Sequence, residues 1–96
     1  MSSAYLIANV DVRDPAAYEE YKRLSSIAMK AHGAEVCVRG GVVEVLEGDW
    51  SPKRVVLLKF ASMEAARAFN ASAEYEAARR ARQGIAVMRM VLVEGV

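Results

Sequence analysis

Two strand-like runs constrain this chain more than anything else in it. Val55-Val56-Leu57-Leu58, and Met88 to Val93 apart from Arg89, are apolar at successive positions rather than at alternate ones. In an extended strand successive side chains point to opposite faces, so both faces of these strands are apolar. An antiparallel sheet with one side in water carries polar residues at every second position on that side, and these runs do not. Both sides of the sheet therefore need a cover.

The remaining elements supply one cover. Residues 4–12 alternate, with Leu6, Ala8, Val10 and Val12 on one face and Tyr5, Ile7, Asn9 and Asp11 on the other. Asp14-Pro15 predicts a helix start, an N-cap followed by proline at the first helical position. Tyr18, Tyr21, Leu24, Ala28 and Ala31 form an apolar stripe at helical spacing, and Gly33 closes the helix with His32 in its last turn. Residues 34–39 and 42–47 read as two short strands joined by Gly40-Gly41, since a two-residue hairpin loop needs positive φ. That pairing sets Cys37 opposite Glu44 and Arg39 diagonal to Glu44. Gly48 to Pro52 is a loop, and Arg54–Phe60 is the next strand. Ser62 caps a helix running to about Asn70, and Ser72 starts another carrying Tyr75, Ala78, Ala81 and Arg82. Gly84 ends it, and residues 86–94 form the last strand.

The order is strand, helix, three strands, two helical pieces, strand. It suits an α+β domain with an antiparallel sheet and helices on one face, the ferredoxin-like plan. Those helices cover one side of the sheet. The simplest cover for the other is a second copy related by two-fold symmetry, so a homodimer is expected.

Composition narrows the partners. A length of 96 residues suits one domain, residues 1–96, and a hydrophobic fraction of 54% leaves apolar surface to spare. Thirteen basic residues against 12 acidic ones give no nucleic-acid footprint. The basic cluster Arg79, Arg80 and Arg82 reads as a solvated helix face. Cys37 is the single cysteine, so no intramolecular disulfide can form, which fits a reducing compartment. Neither a basic leader nor an apolar run of membrane-spanning length is present, and a cytoplasmic location without a membrane partner is expected.

Tyr18-Glu19-Glu20-Tyr21, Arg39-Gly40-Gly41, Leu46-Glu47-Gly48-Asp49-Trp50, Arg54 and Ser72-Ala73-Glu74-Tyr75 together resemble the domain of unknown function thirteen-thirty family. That family is a branch of the dimeric α/β-barrel superfamily, and the resemblance covers about residues 4 to 95. It implies a ferredoxin-like fold and a dimer whose two sheets face each other. The superfamily includes small monooxygenases, haem-degrading enzymes, isomerase-like and dehalogenase-like proteins, so it implies no single chemistry. The chain departs from the family pattern at His32, where an aromatic residue is more usual, and at Phe69, where tryptophan is common.

Six residues are candidates for lining a ligand site: Asn9, Tyr21, His32, Arg39, Trp50 and Tyr75. His32 is the only histidine, so proton transfer or ligation would fall to it first, although a histidine in a last helical turn also suits the terminal carbonyls. Cys37 and His32 lack zinc-ligand spacing, so neither a metal nor a cofactor is expected. Arg39 can fork onto a carboxylate or phosphate, or pair with Glu44. Trp50 either plugs the end of the core or lines a pocket or dimer contact. Tyr18 and Tyr21 face inward, with Asn9 or Asp11 as hydroxyl partners, and Tyr75 reaches the same cleft. Two functions fit: a small-molecule binding protein, extending to a cofactor-free monooxygenase or isomerase-like enzyme, or a non-catalytic structural or stress-related dimer. The pocket would lie between the first helix and the sheet or at the dimer seam.

Overall fold

The central strand takes the bounds that its alternation predicts. In the computed structural model, which describes residues 2–96, β1 spans Ala4–Val12 with Ala4, Leu6, Ala8 and Val10 buried. It pairs antiparallel on one side with β3 (Arg54–Phe60) and on the other with β4 (Ala86–Glu94), while β2 (Glu35–Arg39) extends the sheet beyond β3. The sheet order is β2-β3-β1-β4, the order of a ferredoxin-like fold. Register puts Leu6 between Leu58 and Leu92, and Ala8 between Val56 and Met90, on one face.

Three helices cover that face. Asp14 caps α1 (Pro15–Ala31) by accepting from the Ala17 amide at 3.1 Å, and the helix closes at Gly33, whose φ is +68°. The Ala34 amide then donates back to the Met29 carbonyl, the bond that ends a helix on a left-handed glycine. Ser62 caps α2 (Met63–Ala71). Ser72 both ends α2 and caps α3 (Ala73–Ala81) by accepting from the Tyr75 amide. The inward stripe of α1 departs from the sequence reading at its end. Ser25 and Met29 are buried, whereas Ala31 is exposed. Ser25 tolerates that position because its hydroxyl donates to the Lys22 carbonyl one turn back.

The predicted hairpin does not form. Residues 42–47 make no strand, and Gly40 continues along β3 instead, its amide donating to the Val55 carbonyl. Cys37 therefore does not face Glu44. It sits at an irregularity between Val36 and Val38, where β2 takes one more residue than β3. A strand outside β2 would lie beyond the reach of the helices, so its valines would gain no cover from this chain. Val42 and Leu46 are accordingly almost fully exposed.

The opposite sheet face is bare, as its residue pattern requires. Ile7 lies between Leu57 and Val91, and Tyr5 beside Val93. Val87, Val91 and Val93 are all exposed, and the molecule is only 16 Å deep along its shortest axis. That depth suits one sheet and one helical layer.

The core beneath the helices is aromatic. Phe69 of α2 packs on Phe60 of β3 and Tyr75 of α3, with ring centroids 5.2 and 4.8 Å away. Phe69 is 1% exposed, so truncation leaves a cavity that little can fill. Phe69→Ala is expected to cost about 3–5 kcal/mol, read as a fall in urea midpoint.

Candidate functional site

The pocket between α1, α3 and the sheet begins with a small side chain on the central strand. Ala8 projects toward the helices between Val56 and Met90, and the space it leaves is met from above by tyrosines. Tyr18 and Tyr21 stack one turn apart on α1, with centroids 5.0 Å apart, and Tyr75 meets Tyr21 edge-on. The Tyr21 and Tyr75 hydroxyls lie 2.8 Å apart in a buried hydrogen bond. Two hydroxyls carry two protons, and their mutual bond uses one. The other has only thioether acceptors at hand: Met88 Sδ is 3.8 Å from both hydroxyls and Met90 Sδ 3.8 Å from that of Tyr75. Burial, reinforced by Tyr75, pushes the Tyr21 hydroxyl well above its ordinary pKa. Tyr21 is thus a neutral hydrogen-bonding group. Burial also raises Tyr18, with Arg54 partly offsetting it.

The mouth of this pocket is cationic. Arg39, Arg54 and Lys22 line it together with Ser25, and its walls include Leu58, Phe69 and Met29. Including its open mouth the concavity measures about 410 Å³, but the enclosed part is about 20 Å³, room for a single water. Arg39 donates to Ser26 Oγ at 2.8 Å and to the Lys22 carbonyl at 3.4 Å, and forms no pair with Glu44. Arg54 lies 5.9 Å from the Tyr18 ring, and its buried Nε has no hydrogen-bond acceptor. A side-chain carbon on Gly40 would stand 2.1 Å from Arg54 Nη1, so the glycine makes room for this guanidinium.

The six sequence candidates divide among three places. Tyr21, Tyr75 and Arg39 share the helix-side pocket. Asn9 and Trp50 line a separate open depression on the bare sheet face, with Asp11, Lys53 and Arg89; including its open mouth it measures about 800 Å³. Trp50 is 66% exposed and plugs no core, because the loop carrying it lies outside the helical layer. Asn9 and Asp11 are on the wrong face to meet the tyrosine hydroxyls, which bond each other instead. His32 lines neither site. Its Nε2 sits 3.1 Å from Glu74 Oε1, and its ring stands edge-on to Phe69.

Arg79 and Arg82 are also more than a solvated face. Arg79 lies 5.0 Å from the Tyr75 ring centre and pairs with Glu76, and Arg82 lies 5.9 Å from that of Tyr21, with its Nε buried and without an acceptor. Arg54, Met88 and Met90 escape sequence reasoning as site residues because each reads as an ordinary strand position. Among the described residues, no group of three or more His, Cys, Asp or Glu side chains could hold a metal ion. No helix is long and apolar enough to cross a membrane.

A four-stranded antiparallel sheet with helices on one side, enclosing a tyrosine pocket, defines a ferredoxin-like α+β protein. Residues 3–96 match the model of the domain of unknown function DUF1330, and the chain belongs to that family. Among solved structures it is similar to the RPA0582 protein of unknown function from Rhodopseudomonas palustris. That likeness has a TM-score of 0.75 and 19% identity, over 99% of this chain and 83% of the other. It is also similar to SnoaB, a cofactor-independent oxygenase from Streptomyces nogalater, with a TM-score of 0.62 and 12% identity over 97% and 92% of the two chains. A dimeric ferredoxin-like protein of unknown function from Bacteroides fragilis gives a TM-score of 0.65 at 11% identity over 96% and 95%. No curated protein sequence matches the chain.

Two measurements check the site's internal bonds. Tyr75→Phe strands the Tyr21 hydroxyl beside sulfur and is expected to cost about 1–3 kcal/mol, the range for an orphaned buried polar group. Adding Tyr21→Phe removes the orphan, so the double variant should lose less than the two single losses combined. Additivity within about 0.3 kcal/mol would show that the hydroxyl pair contributes nothing. Glu74 is held below the ordinary carboxylate pKa of 4.5 by its own backbone amide first and then by His32. A lowered acid stabilises the fold above its unfolded pKa and loses that contribution as pH falls through the folded value. Glu74→Gln should therefore lower the urea midpoint at pH 6 and converge on the parent as pH falls through the lowered Glu74 value, below 4.5.

Proposed function

We propose that this protein is a homodimer in which each subunit binds a small, largely apolar organic molecule in the tyrosine-lined pocket between α1, α3 and the sheet. The observation that carries the binding reading is the Tyr21–Tyr75 hydroxyl pair at the inner wall of an otherwise apolar concavity. Ligand sites combine such walls with a few placed polar groups. One proton of the pair has only weak sulfur acceptors, so a ligand oxygen would improve its bonding. The dimer reading rests on the bare face around Ile7, Leu57, Val91 and Val93, which is apolar and without cover from its own chain. Burying that face recovers roughly 25 cal/mol for each Å² of apolar area. The exposed Cys37 thiol suits a reducing compartment, and the cytoplasm is the location we assign.

Shared fold with SnoaB favours one second reading, a cofactor-free oxygenase acting on an electron-rich aromatic. Tyr21 is a poor base for such chemistry, since its pKa is raised, and His32 lies outside the pocket. Binding without turnover is therefore the reading preferred here. Oxygen uptake with hydroquinones separates the two: a rate above the protein-free control would favour the enzyme.

Methyl-labelled methionine reports the pocket directly, because Met88 and Met90 line it and Met63 does not. In a panel of aromatic acids, quinols and haem, at least one compound should shift the Met88 and Met90 methyl resonances and leave Met63 in place. Unmoved resonances throughout the panel would overturn the reading. Light scattering should give twice the chain mass of 10.5 kDa, and Leu57→Glu with Val91→Glu should return a folded species of 10.5 kDa. A parent already at 10.5 kDa at micromolar concentration would remove the dimer.

A further inference from the structure

Two guanidinium groups guard the pocket with no acid to balance them. Arg39 lies opposite Val56 in the β2–β3 register, and Arg54 is two residues along β3 on the same face. Such diagonal neighbours stand roughly 7–8 Å apart at the backbone, within reach of long side chains. Neither arginine takes part in an ion pair among the described residues, and no aspartate or glutamate lines the pocket. Lys22, the third cation at the mouth, is already paired with Glu19 at 3.0 Å on the outer helix surface. Arg39 spends its donors on two neutral oxygens, and the Arg54 Nε is buried without an acceptor. Two like charges at one mouth, with no acid between them, raise the local potential toward anions.

We infer that the pocket takes an organic carboxylate, its charged end between Arg39 and Arg54 and its ring-sized apolar body against Tyr18, Tyr21, Met88 and Met90. The inference rests on the binding reading above and names the class of ligand. Guanidinium forks match a planar carboxylate through two parallel hydrogen bonds. The wall beyond the arginines offers sulfur, aromatic carbon and the two neutral hydroxyls, which suits a body with one polar substituent and no second charge. Because the enclosed space holds about one water as the side chains stand, entry requires the arginines to swing outward and close again on the carboxylate. Gly40, which has no side-chain carbon, lets the Arg54 guanidinium lie against its backbone.

The probes are phenylacetate, its uncharged counterpart phenylacetamide, and inorganic phosphate, titrated by calorimetry and by the Met88 and Met90 methyl signals. Phenylacetate is expected to bind at least tenfold more tightly than phenylacetamide at low salt, and rising salt should erase the difference. Arg39→Gln with Arg54→Gln should bring the two probes to equal affinity. If Arg54→Gln unfolds the chain, Arg39→Gln at an exposed position carries the same test. Equal binding of both probes to the parent would overturn the carboxylate inference and leave the pocket reading intact. Phosphate matching phenylacetate would mark a simple anion site and also overturn it. Binding of neither organic probe, with no methyl shift, would overturn the inference, and the pocket reading would stand or fall on the wider panel.

Discussion

One sheet with two apolar faces and a single layer of helices sets the terms for this molecule. The helices reach Leu6, Ala8, Val56, Leu58 and Met90 and remove them from water. Ile7, Leu57, Val91 and Val93 on the reverse side have no such cover, although their side chains are as apolar. The same shortage explains the segment after β2. Val42 and Leu46 lie past the edge of the helical layer and are almost fully exposed. The bare face and the stranded segment are two results of one limited cover.

Local chemistry made much of the fold legible. Asp14-Pro15, Ser62, Ser72 and Gly33 act through bonds to residues three to five positions away, so their roles follow from sequence alone. The bounds of β1 follow from alternation, and those of β3 and β4 from apolar runs set between turn residues. The segment from Val42 to Glu47 reads as a strand because its residues have β propensity, but strand formation depends on neighbours that no local rule supplies. The α1 stripe holds at Tyr18, Tyr21, Leu24 and Ala28 and departs only at its end. Ser25 outranks Ala31 as a buried position because a hydroxyl can bond its own helix, whereas Ala31 lies in the last turn, turned away from the sheet.

The pocket was half legible. Tyr21 and Tyr75 are 54 residues apart, and only the packing of α3 beside α1 brings their hydroxyls together. Arg39 was visible as a charged residue beside glycines, but its supposed partner, Glu44, belongs to a hairpin that does not exist. Arg54 reads in the sequence as an ordinary strand residue. Its significance lies in the packing of its guanidinium against Gly40, a through-space relation. Trp50 and Asn9, conspicuous in sequence, occupy the other side of the sheet from the tyrosines.

The irregularity at Cys37 decides on which side of the sheet the charge at the end of β2 falls. With regular pairing from Val36 opposite Leu58, Arg39 would stand opposite Val55 and project toward the bare face. The extra residue advances the count by one, sets Arg39 opposite Val56 and turns it toward the tyrosines. In an otherwise uniform sheet, a single inserted residue works as a parity switch. A related chain without it could keep every residue of the Arg-Gly-Gly motif and present its arginine to a different compartment.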